Sequence, residues 1–133
     1  MSGNNFKRSD RVAQSIRAVL AQTLAERVSD PRLQGVMVTE VSLHDDLRGG
    51  KVFWYFMRPG QTERVREAQR AFRSASKMLR SQVGKSLSLK HVPDLKFVYD
   101  ERIDHARHIE SLLEGVLPPA GDSTEGSTES DGE

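Results

Sequence analysis

The sequence predicts an α+β domain with helices gathered on one face of a three-stranded sheet. Three observations carry that prediction. Apolar residues recur at helical spacing over residues 10–28 and again over 62–86. Between these stretches, VMVTEVSL at 36–43 and KVFWYFM at 51–57 are dense in β-branched and aromatic side chains. A third strand-like run, DLKFVYD at 94–100, follows the second helical stretch. The chain must therefore cross back to rejoin the sheet.

Taken in order, the first helix places Val12, Ile16, Val19, Leu20, Leu24 and Val28 on one side. Ser9 or Asp10 can cap its start, and Pro31 follows its end. HDDLRGG at 44–50 supplies turn chemistry for a hairpin between the first two strands, and Pro59-Gly60 closes the second. Strand alternation sets Trp54 and Phe56 on one face and Phe53 and Tyr55 on the other. One pair is expected beneath the helices, and the other is a candidate for stacking bases. A final helix over about 101–116 has Ile103, Ile109, Leu112, Leu113 and Val116 as its apolar side, and Pro118-Pro119 stops it. The rest, AGDSTEGSTESDGE, has one alanine as its only apolar residue and cannot offset its ordering entropy. One domain over 1–117 with a disordered acidic tail over 118–133 is expected.

Composition narrows the function classes. No apolar run approaches 18 residues, and the opening MSGNNFKRSDR lacks the apolar stretch of a secretory signal. Without cysteine there is no disulfide framework, thiolate nucleophile or thiolate metal site. A soluble cytoplasmic protein is expected. The net charge of +1 hides an asymmetry: residues 1–100 hold 18 Lys/Arg against 10 Asp/Glu, whereas residues 101–133 hold 2 against 9. A body this basic attracts polyanions. Its 14 arginines against 6 lysines in the whole chain suit bidentate phosphate contacts.

The charges are ordered on the second helix. At about 100° per residue, Arg66, Arg70, Arg73, Lys77 and Arg80 share an arc of roughly 80°. Val65, Ala68, Phe72, Ala75, Leu79 and Val83 occupy the opposite arc and predict the core face. A solvated helix face usually mixes signs at i, i+4 spacing, but this arc holds five cations and no anion. Near its middle, Ser74-Ala75-Ser76 weakens the helix interior, since serine competes for backbone hydrogen bonds and favours an N-cap. No glycine or proline forces a break there. The residues alone allow one bent helix or two helices meeting at a joint.

Other patterns carry less chemistry. No Walker P-loop, GxGxxG or HExxH is present. Gly49-Gly50 and Asp45-Asp46 read as turn residues. Glu101, Asp104, His105 and His108 read as the polar face of the last helix rather than a metal site. Nothing resembles a nucleophile–base pair, so no enzymatic activity is expected.

The strings RVAQSIRAVLAQTLAERVSDPRL and ASKMLRSQVGKSLSLKHVPDLKFVYD resemble the ribosome-binding factor A family, small bacterial assembly factors of the small ribosomal subunit. DPRL after the first helix, the LR…GK…L run, the VPDLKFVYD strand and the I…I…LL ending fit the pattern in order, over about residues 6–117. The resemblance implies a KH-like type II domain, helix–strand–strand–helix–kink–helix–strand. A helix–kink–helix on an Ala-x-Gly pattern replaces the GXXG loop of KH domains. Ala75-Ser76 fit that pattern, while Lys77 stands at the glycine position and adds a cation. Two helices meeting at Ser74, Ala75 and Ser76 are thus expected.

The resemblance also implies a non-catalytic factor that binds the free 30S subunit and assists late maturation and processing of 16S rRNA. It would act as a monomer, with no cofactor, small-molecule substrate or membrane contact. The RNA-binding residues expected are Lys7, Arg8, Arg11, Arg66, Arg70, Arg73, Ser76, Lys77, Arg80, Lys85 and Lys90. Two rivals remain: a KH-like mRNA-binding translational regulator, and a protein–protein adaptor whose basic face meets an acidic protein.

Overall fold

A computed structural model describes residues 7–116. Helix α1 (Arg8–Glu26) is followed by a 3₁₀ turn (Pro31–Leu33), strands β1 (Val36–Leu43) and β2 (Gly49–Phe56), helix α2 (Thr62–Leu87), strand β3 (Asp94–Tyr99) and helix α3 (Glu101–Val116). Contacts divide this chain into one unit ending at Asp100 and another beginning at Glu101. The tail expected over 118–133 lies outside the described residues.

α1 begins two residues before its apolar periodicity does. The Asp10 carboxylate accepts the Lys7 backbone N–H at 3.0 Å, so Asp10 acts from the third helical position and Lys7 is the N-cap. The 3₁₀ turn was not legible as an element. Asp30 builds it, accepting the Arg32 backbone N–H at 2.9 Å and the Arg32 guanidinium at 2.8–3.2 Å. These bonds hold the Asp30 carboxyl below its ordinary value of 3.8. A depressed carboxylate stabilises the fold above that ordinary value, and the contribution is lost as pH falls through the lower folded value.

The sheet order is β1-β2-β3. β1 and β2 pair antiparallel with an irregularity between Val38 and Glu40, and β2 and β3 pair parallel, as a crossover through α2 requires. Val52, Trp54 and Phe56 of β2, with Leu95 and Phe97 of β3, face a core completed by Ile16 and Leu20 of α1 and Phe72, Leu79 and Val83 of α2. Trp54 and Phe56 are therefore the aromatic pair under the helices, and Phe53 and Tyr55 lie half-buried on the outer face. Trp54 sits at the centre of the core. Its ring centroid lies 5.5 Å from Phe56, 5.2 Å from Phe72 and 5.1 Å from Tyr99.

Its indole N–H needs an acceptor in that apolar setting. It donates to Gln69 Oε1 at 2.7 Å, and Gln69 Nε2 donates to the Phe97 carbonyl at 3.0 Å. Gln69→Leu keeps the volume and leaves both partners unsatisfied, at a cost of about 1–3 kcal/mol per buried group. Urea unfolding should show a stability loss of about 2–4 kcal/mol. A loss below about 0.5 kcal/mol would mean that water can take over both bonds.

α2 corrects one expectation. It is a single α-helix from Thr62 to Leu87, and the chain passes through Ser74, Ala75 and Ser76 without leaving the helix. The physical reason lies in the residues present. Lys77 lacks the backbone freedom of the family's glycine. Ser74 directs its hydroxyl back to the Arg70 carbonyl at 3.3 Å, an i−4 bond compatible with a continuing helix. The helix ends where Ser88 takes a left-handed conformation, φ 53°, and the Leu89 N–H closes on the Gly84 carbonyl at 3.2 Å.

In the second unit, α3 has the bounds expected. Ile109, Leu112 and Leu113 of its apolar side are exposed.

Candidate nucleic-acid interface

The apolar face of α2 fixes what the opposite face presents. With Ala68, Ala71, Phe72, Leu79 and Val83 buried, Arg66, Arg70, Arg73 and Lys77 are all exposed. Among the described residues none of these four forms an ion pair. From Arg66 to Lys77 the row extends roughly 16 Å at 1.5 Å per residue. Stacked like charges repel by a few tenths of a kcal/mol per pair, and a phosphate chain lying along the row would turn that repulsion into attraction.

The fifth member of the arc behaves differently. Arg80 is half-buried, and it donates from Nε to the Pro93 carbonyl at 3.1 Å and from Nη2 to the Val92 carbonyl at 3.0 Å. Its Nη2 also lies 3.4 Å from Asp94 Oδ1. It fastens the segment entering β3 to α2. Ser76 is half-buried beside it on the wheel, while Ser74 is exposed and Ala75 packs against the core.

The remaining expected residues lie at the start of α1, at the end of α2 and on the segment that follows it. Lys7 Nζ lies 3.4 Å from Asp45 Oδ2, which places the start of α1 at the tip of the β1–β2 hairpin. The Asp94 N–H donates to the Arg48 carbonyl at 3.0 Å, so the segment from α2 ends, and β3 begins, beside that same hairpin. Lys7, Arg8 and Arg11 stand at this end of α1, and Lys85 and Lys90 lie on the last turn of α2 and the segment that runs from it to β3. All five are exposed, although Lys7 is already matched with Asp45. Asp46 serves the turn itself, accepting the Arg48 N–H at 3.0 Å.

Two polar residues of α2 carried no signal in the sequence. Gln69 is the half-buried partner of Trp54 described above. Arg64 donates from Nη2 to the Pro31 and Gln34 carbonyls at 3.2 and 3.1 Å, with its guanidinium 4.6 Å from the Phe56 ring centroid. It pins the 3₁₀ turn to α2 and belongs to the scaffold. Among the described residues, no three His, Asp or Glu side chains converge on a common point that could hold a metal ion. No helix among them is long and apolar enough to cross a membrane.

Fold and surface together define a KH-like α+β module that displays a cationic helix. The family model for ribosome-binding factor A matches residues 8–113. The ribosome-binding factor A of Methylobacillus flagellatus is 41% identical over 123 residues, covering 92% of this chain and 94% of that one. A crystal structure of ribosome-binding factor A from Thermus thermophilus superposes with a TM-score of 0.58 at 22% identity, covering 68% of this chain and 93% of that one. Coordinates of the Thermus thermophilus factor fitted into the cryo-EM map of a complex with the 30S subunit give a TM-score of 0.57 at 22% identity, with 70% of this chain and 96% of that one covered. The chain belongs to the ribosome-binding factor A family.

Proposed function

We propose that this protein binds the free 30S ribosomal subunit through α2 and assists late maturation and processing of 16S rRNA. It acts in the cytoplasm as a monomer and catalyses no reaction itself. The observation that carries this reading is the row Arg66, Arg70, Arg73 and Lys77, four exposed cations without carboxylate partners among the described residues. Four such charges on one helix suit a phosphate backbone. The names of the curated relatives and the 30S complex of the Thermus thermophilus factor support the ribosome as the source of that backbone.

Sucrose-gradient sedimentation of the tagged full-length protein tests the reading. It should travel with free 30S subunits and be depleted from complete ribosomes, and cells lacking it should accumulate 16S rRNA with unprocessed ends. Sedimentation with mRNA-containing fractions, or an association that survives nuclease, would replace this reading with a translational regulator or a protein adaptor.

A further inference from the structure

The face of the sheet turned away from α1 and α2 also carries cations, brought together only by strand register. Lys51 of β2 and Lys96 of β3 are direct neighbours in the parallel ladder. Both are exposed, and across β1 Lys51 faces Ser42. The nearest acids on this face do not balance them. Glu40 lies two positions further along the ladder, opposite Phe53, and Asp94 is turned to Arg80. Among the described residues neither lysine forms an ion pair. Like charges directly opposite each other destabilise a sheet, so this pair weakens the fold that holds it. An anion bridging the two ammonium groups removes the repulsion.

The position of the pair matters as much as its charge. Val52, Trp54, Leu95 and Phe97 point into the core, so Lys51 and Lys96 point out of the opposite side. The row on α2 and the pair on the sheet are separated by a helix layer and a sheet layer, roughly 15–20 Å. One strand lying along α2 does not reach both.

We propose that Lys51 and Lys96 form a second phosphate-contacting site, so that the protein engages two RNA segments at once, one on α2 and one on the outer face of the sheet. This rests on the reading of the protein as an RNA binder and adds a holding function to it. A factor gripping two RNA segments keeps them close while the RNA between them folds.

The test uses the full-length protein and two unlinked single-stranded RNA 12-mers, one carrying a donor dye and the other an acceptor. Wild-type protein should bring the two into energy transfer at stoichiometric concentration. The K51Q/K96Q variant should bind one oligonucleotide but lose the transfer, and its log–log salt slope should fall by roughly 1.4 units, about 0.7 per contact on a single strand. It should melt no lower than wild type, since it removes a repulsion, and K51R/K96R should retain both readouts. Transfer and slope unchanged in K51Q/K96Q would overturn the second site. If wild-type protein bound neither oligonucleotide nor 30S subunits, the parent reading would fail as well. The two failures are distinguishable, because an R70E/R73E variant loses affinity only if α2 is an RNA site.

Discussion

Gly50→Ala should unfold or severely destabilise the protein, whereas Gly49→Ala should be tolerated. The two glycines are adjacent at the start of β2, yet they meet different surroundings. A β-carbon on Gly50 would overlap the Ser42 carbonyl oxygen and stand 2.7 Å from Leu43 Cδ2 and 2.9 Å from Leu43 Cα. Two of these three atoms are backbone of β1, so relief requires moving a strand. At Gly49 the nearest atom is the Asp94 carbonyl oxygen at 3.5 Å, an ordinary contact. Overpacking that displaces backbone costs about 3 kcal/mol or more, against a total stability of about 5–15 kcal/mol for a domain. Denaturant titration of the two single variants checks this. Equal midpoints for both would show that β1 yields easily at its end.

R70E/R73E should weaken association with 30S subunits on the order of a hundredfold, about 2.7 kcal/mol, while the folded state is hardly affected. Both side chains are exposed, and neither is engaged with the protein among the described residues. Substitutions at such positions usually change stability by less than about 0.5 kcal/mol. Each lost phosphate contact should also reduce the salt dependence by roughly one unit. The contrast variant is Arg80→Glu. Because Arg80 holds the Val92 and Pro93 carbonyls, it should lose stability first and binding only as a consequence. Pelleting with 30S subunits across a salt series, alongside thermal melts, separates the two. Unchanged pelleting by R70E/R73E would remove α2 from the interface.

Arg80 also shows how far a helical wheel can be read. Angle around the axis identified the core face of α2 correctly and grouped Arg80 with Arg66, Arg70, Arg73 and Lys77. What lies beyond the helix surface is not in the angle. Arg80 is at the margin of the arc, where the segment entering β3 passes close enough to bond it. Gln69 sits near the same margin, and nothing in its neighbours marks it as the acceptor for an indole. The strands were legible from β-branched and aromatic density, and the alternation separating Trp54 and Phe56 from Phe53 and Tyr55 follows from the pleat. Lys51 and Lys96 are 45 positions apart in sequence, so only the register of a parallel ladder makes them a pair. At Ser74-Ala75-Ser76 the resemblance to a family implied a break that this chain's own residues do not require, and with Lys77 in place of glycine the helix continues.

The hydrogen bonds from α2 to β3 bear on how copies of this protein can associate. Asp94 and Asp100 give their N–H groups toward β2, so the carbonyls of Pro93 and Phe97 point to the outer edge, where Arg80 and Gln69 already occupy them. A strand arriving at that edge finds the Pro93 and Phe97 acceptors taken and the side chains of α2 in its path. Among the described residues β1 is then the less obstructed edge of the sheet, and the irregularity at Val38–Glu40 blunts it. Growth of a fibril by edge pairing needs two usable edges per molecule. With one obstructed by α2 and the other irregular, edge pairing is disfavoured beyond two copies.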